Sequence, residues 1–206
     1  MQITDRKLEI YTSVLLAVAS LLTAWCAYQA SAWGSDQATA AQAAGRLRTE
    51  ASAAYTRSGQ MSIVDVVAFT NWLNATNVED ARLADFYRAR FTADFLPAFD
   101  AWLALKPLQN PDAPPTPFGM KEYKQTFYLK ATELEQQANT QGEAFAFANA
   151  TSTAYVRNTV LFATTLFLCS MAGRFDIRGV RLGLVGLATL IMLAGLVNAV
   201  IMARTW

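Results

Sequence analysis

The chain has 206 residues, 53% of them hydrophobic, with a formal net charge of +1, no histidine and a mean hydropathy of +0.20. That hydropathy is high for a water-soluble globule, and the missing histidine removes the commonest general base, proton shuttle and transition-metal ligand at once. Residues 33–156 carry ten Lys and Arg against thirteen Asp and Glu, a balance of −3, so no basic footprint for nucleic acid accumulates there.

Charges are absent from Ile10 to Ser35, from Asn158 to Gly173 and from Leu182 to Ala203. A bilayer core calls for about 20 mostly apolar residues in a helix. The expected fold class is therefore an all-α membrane protein with three transmembrane helices, at residues 10–33, 156–173 and 182–203. A long helical extramembrane hairpin or stalk, residues 34–155, is inserted between spans 1 and 2. Residues 1–9, 174–181 and 204–206 form the short flanks and the loop between spans 2 and 3.

Arg6 and Lys7 before an apolar run look like a signal peptide, but the run exceeds the roughly 7–15 residues of an h-region. Trp25 also stands before Cys26, where a lipoprotein signal requires a small residue, so a retained span is expected. Cys26 and Cys169 fall at different depths of their spans, which makes a disulfide between them within one subunit unfavourable.

Trp25, Tyr28 and Trp33 fall within about a 140° arc of one helical face at 100° per residue, and Trp206 closes span 3. These four are the expected membrane-interface anchors. Basic residues fix the orientation: Arg6 and Lys7 flank span 1, and Arg174, Arg178 and Arg181 lie in the loop between spans 2 and 3. The positive-inside rule then places the N-terminus and that loop in the cytoplasm and the large insert outside.

The insert reads as long helices. Ala40, Ala44, Leu47, Ala51 and Ala54 recur at spacings of three and four, so span 1 is expected to continue without a hinge into an extramembrane helix. Ser58-Gly59-Gln60 is expected to end it, with Ser62 and Asp65 forming a capping box for the next. A second interruption is expected at Asn74 to Asn77, with Asn77 as N-cap. Leu83, Tyr87, Phe91, Phe95, Ala98, Trp102 and Leu105 then repeat with helical period around a kink at Pro97. Five of six prolines crowd into Pro107 to Pro117, which predicts a loop. From Lys121 a helix resumes, and a seam of alternating four- and three-residue steps runs from Phe127 to Phe162. An antiparallel partnership with the helix leaving span 1 is expected, with Gln141 and Ser152 setting its register.

Two stretches resemble a family of uncharacterised bacterial inner-membrane proteins that carry a domain of unknown function. One is Ala24-Trp-Cys-Ala-Tyr28-Gln29-Ala, followed by Trp33 and Gln37; the other is Tyr155-Val-Arg-Asn-Thr-Val-Leu-Phe-Ala163 with Leu166 and Phe167. The resemblance covers the two ends of the chain. It implies topology and a bacterial inner membrane, and it brings no activity or catalytic residue.

No Gly-rich phosphate loop, nucleophile elbow or metal-ligand spacing occurs, so no catalytic residue, cofactor or metal is assigned and the chain is not expected to be an enzyme. The interiors of the spans lack Asp, Glu, Lys and Arg, which argues against a proton relay. Thr164, Thr165 and Asn198 remain as polar positions able to bond between helices or line a narrow pore. The expected function is that of a non-enzymatic integral membrane protein forming a homo-oligomeric helical assembly, structural or passive and channel-like. The alternative is an accessory subunit of a larger membrane complex. Its partners are the lipid bilayer, further copies of the chain and other membrane-complex subunits, with no nucleic acid.

Overall fold

A computed structural model describes the backbone of residues 2–107 and 109–204 and the side chains of residues 6–107 and 109–201. The described chain is helical: α1 (Gln2–Asn77), α2 (Ala81–Arg88), α3 (Leu96–Ala104), a 3-10 turn (Pro117–Gly119), α4 (Thr126–Ala172) and α5 (Arg178–Arg204). It divides into two compact units. Unit 1 holds residues 1–42 and 142–206, and unit 2 holds residues 43–141. Among the described residues two helices are long and apolar enough to cross a membrane, α1 and α5.

In unit 1, α1, α4 and α5 bury one stripe each. Leu15, Ala19, Cys26, Phe162, Cys169, Ala188 and Met192 form its core. Both cysteines are buried free thiols. The Ser152 hydroxyl donates to the Ala30 carbonyl at 2.9 Å, and the Trp33 and Phe147 rings meet edge-on at 5.8 Å. Within this unit higher numbers on α1 meet lower numbers on α4, so the two segments run antiparallel, and Ser152 holds their register as its place on the seam suggested. Gly195 has a packing role: a Cβ built there would fall 2.7 Å from Phe162 Cε1, so only glycine lets that fully buried ring in. The opposite faces stay uncovered, with Leu21 72% exposed on α1, Phe167 63% on α4 and Leu190 66% on α5.

Unit 2 is built on aromatics. Phe69, Trp72, Phe91, Phe95, Phe99 and Trp102 are buried together, with Phe118 and Tyr123 against them. The rings meet mostly edge to face, as their quadrupoles favour: Trp72 and Phe99 lie at 4.7 Å and 80°, and Phe69 and Trp102 at 5.4 Å and 81°. The Trp102 indole N–H donates to the Pro114 carbonyl at 2.7 Å, which ties the proline-rich loop to this core. Ala51, Ala54, Ser58 and Asp65 continue a buried stripe on α1. In this unit Tyr55 reaches Glu135 at 2.8 Å and Arg57 lies over the Phe127 ring at 4.8 Å, so α1 and α4 are antiparallel here too.

Five expectations about the helices are corrected. α1 does not stop at Ser58-Gly59-Gln60, since Ser58 is buried on the same stripe as its neighbours and tertiary packing outweighs the weak propensity of one glycine. Ser62 and Asp65 are consequently mid-helix rather than a capping box. Asn77 ends α1 instead of capping α2. Glu79 takes φ +58, Asp80 N–H donates to Ala75 O at 3.0 Å and Glu79 N–H to Thr76 O at 3.2 Å, which is a Schellman closure. Asp80 then caps α2 by accepting from Leu83 N–H at 3.0 Å. Pro97 kinks nothing, because the helix expected around it is two helices and Pro97 lies in the first turn of α3, where its missing N–H has no role. α4 begins at Thr126, not Lys121.

Candidate functional site

The polar positions inside unit 1 are saturated by short-range bonds. Asn158 is fully buried on α4; the Asn198 amide donates to its Oδ1 at 2.8 Å, and Arg157 Nη2 donates to Asn198 Oδ1 at 3.3 Å. With the Asn158 amide turned as well, so that it donates, the Asn198 amide also fits end for end, its oxygen then facing Arg157 Nε and Nη2, both at 3.3 Å. In either orientation the three side chains link α4 to α5. Thr165, fully buried, donates to Leu161 O at 3.1 Å, and Thr164 donates to Val160 O at 2.8 Å. Of the two uses expected for these positions, a bond between helices is what Asn198 makes, while both threonines bond within their own helix. A further interhelical bond joins Tyr11 to Thr189 at 2.9 Å; Thr189 gives its proton to Val185 O, so Tyr11 is the donor.

The expected anchors differ among themselves. Trp25 and Tyr28 face outward, 56% and 66% exposed, with ring centroids 6.2 Å apart. Trp33 is half-buried against Phe147. Trp206 lies outside the described residues.

Unit 2 contains a site that the spacing of residues did not single out. Asp65, 1% exposed, extends from α1 toward the turn before α3 and the segment before α4. Thr92 donates to it twice, from Oγ1 to Oδ2 at 3.0 Å and from its backbone N–H to Oδ1 at 3.4 Å. The Tyr123 hydroxyl, with one proton to give, donates to Oδ2 at 3.1 Å and stands 3.4 Å from Ser62 Oγ. Thr92 in turn accepts from Phe95 N–H at 3.2 Å, so the carboxyl of α1 orders the turn that opens α3. Burial raises the Asp65 pKa above its ordinary 3.8 and the Asp94 charge adds to this, against the lowering effect of the Thr92 and Tyr123 hydrogen bonds. Burial also raises the Tyr123 pKa, and the adjacent Asp65 and Asp94 carboxyls push the same way, against Ser62.

Asp94 has a separate task. Its two oxygens accept from Thr126 N–H at 2.7 Å and Thr126 Oγ1 at 2.6 Å. A side chain from another element thus caps the first turn of α4, where Gln125 at φ +46 leaves no local cap. Asp65, Asp94, Ser62, Tyr123 and Thr126 surround a cavity of about 270 Å³.

This arrangement is suited to joining three chain segments. Asp65 is surrounded by donors that position it. Among the described residues no group of three or more His, Cys, Asp or Glu gathers as metal ligands would. One signal in the sequence points to Asp65: it is the sole charge between Arg57 and Glu79, and it falls on the buried stripe through Ala51, Ala54 and Ser58. No protein-family model, no curated protein and no solved structure matches the chain.

Proposed function

We propose that the chain is a non-enzymatic integral membrane protein of a bacterial inner membrane that works as a homo-oligomeric structural assembly. Three spans anchor it, with the N-terminus in the cytoplasm and the helical insert outside. Unit 1 supports the membrane part of this reading. Only 22% of the apolar window is buried in each of α1 and α5, which is unlike the core helix of a soluble protein. Span 2, at the end of α4, is less apolar because Arg157, Asn158 and the threonines interrupt it. Its support is the outward exposure of Val160 and Phe167, at 59% and 63%, on a helix that shares a core with the other two. The basic residues Arg6, Lys7, Arg174, Arg178 and Arg181 support the orientation.

One observation carries the oligomer. From Ser58 to Asn77, α1 bears a single charged residue, the buried Asp65, so its water-facing side is uncharged. Ile63, Val64, Val66 and Val67 stand on that side at 46–66% exposure. Gln60, Ile63, Val67 and Thr70 follow one another at steps of three and four, the pattern of a helix seam that has a partner. Two copies of such a face meet without like-charge repulsion. The structural role is preferred to the channel because the polar groups of Thr164, Thr165 and Asn198 are already engaged within the subunit.

Light scattering of the detergent-purified chain tests this. A mass of two or more subunits, reduced by Val67→Lys, is the expected result. A single-subunit mass at every concentration overturns it, and a stoichiometric foreign subunit recovered from native membranes would make the chain an accessory subunit instead.

A further inference from the structure

Unit 2 holds a second and larger cavity, of about 680 Å³, between the end of α1 and the end of α3. That volume lies inside the range of about 300–1,000 Å³ typical of small-molecule sites. Trp72, Trp102, Leu103 and Pro107 supply its apolar wall. The exposed amides of Asn74, Asn77 and Gln109 line the rest, and none of the three makes a side-chain hydrogen bond to another described residue.

The two charged residues of the cavity are Glu79 and Lys106. They form no ion pair with each other or with any other described residue; the two ion pairs among those residues are Arg88–Asp100 and Arg181–Glu9. Both sit just past a helix C-terminus at positive φ, +58 for Glu79 and +51 for Lys106. Glycine is the favoured residue in that conformation, and any side chain there is strained. Two helix ends thus hold opposite, unpaired charges at the edge of one cavity.

The geometry points to a binding site for a short apolar peptide with free ends, its ammonium at Glu79, its carboxylate at Lys106 and its side chains against Trp72 and Trp102. A cationic end gives the Glu79 carboxylate the ion pair it lacks among the described residues. The free amides suit the peptide groups between the ends. A single amino acid would leave most of 680 Å³ unfilled, so a chain of two to four residues is the fitting size.

Calorimetric titration of the full-length protein in detergent with trileucine, against empty micelles as reference, tests the site. Saturable binding is expected, weakened about tenfold or more by acetylating the amine and likewise by amidating the carboxylate. In Glu79→Gln the free and acetylated peptides should bind alike, and in Lys106→Met the free and amidated peptides should bind alike. Both side chains are exposed, and helical content by circular dichroism identifies any variant that has misfolded. No saturable heat up to millimolar peptide overturns the proposal. So does a doubly capped peptide that binds as tightly as the free one, or a variant in which capping still weakens binding as in the parent.

Discussion

Unit 1 and unit 2 draw on the same apolar vocabulary and sort it in opposite directions. In unit 2 most of the large rings turn inward, and Phe95 and Phe99 are fully buried, while Phe86 and Tyr128 stay at the surface. In unit 1 the interior is made of small and medium residues, Ala19, Cys26, Cys169 and Ala188 around Phe162, while Leu21, Phe167 and Leu190 face out. Water drives large apolar groups into a core. Where lipid is the surroundings that drive is gone, and close helix contact through small residues takes its place. That sorting is what the proposed placement of unit 1 in lipid and unit 2 in water calls for.

The strongest way to break this contrast is a matched pair of truncations. Phe99→Ala should cost about 3–5 kcal/mol, the range for a buried aromatic, and open residues 78–125 to limited proteolysis. Phe167→Ala should leave the unfolding midpoint in detergent unchanged. Equal effects would show that the two interiors are not differently built.

Gly195→Ala probes the small-residue contact directly. The added methyl collides with the Phe162 ring, and overpacking of this kind costs about 1–3 kcal/mol. Phe162→Leu in the same chain should recover most of the loss, measured as detergent or thermal unfolding. In unit 2 the comparable small adjustment is polar. Asp94→Ala removes the cap of α4 and should cost about 1 kcal/mol, seen as faster amide exchange at residues 126–129.

The smallest effect is a slope. Because the folded-state pKa of Asp65 is raised, the native chain holds its proton over a pH range where the unfolded chain has lost it. Stability contributed by this group is full below the ordinary value of 3.8 and declines as pH rises through the raised value. Asp65→Asn, with its amide oxygen in the place of Oδ2, keeps the Tyr123 and Thr92 hydroxyl bonds and should abolish that decline. An unchanged pH profile in the variant would show that Asp65 does not titrate in this way.

Much of this molecule was legible before its structure. Charge-free runs marked the apolar segments of α1 and α5, the alanine spacing marked the buried stripe of α1, and the seam through Ala131, Ala138, Ala148 and Phe162 matched residues that are buried on α4. The helix ends were harder to read. Gly59 signals a break only where nothing packs alongside, and Ser58 is buried. The start of α4 depends on Asp94, and the role of Asp65 depends on Thr92 and Tyr123, 27 and 58 positions away. No local pattern contains such partners. Phe95 and Pro97 looked like one kinked helix because helical spacing carries on in phase across the gap between α2 and α3.

The grip of Asp94 on Thr126 has a consequence for how this chain tolerates change in length. The return helix takes its phase from an anchor 32 positions upstream, so the prolines between them are spare tether rather than ruler. Residues added or removed around Pro111 should leave every later seam position facing the same way, provided the Pro114 carbonyl still reaches Trp102. The same insertion placed after Thr126 would rotate the whole of α4 out of step.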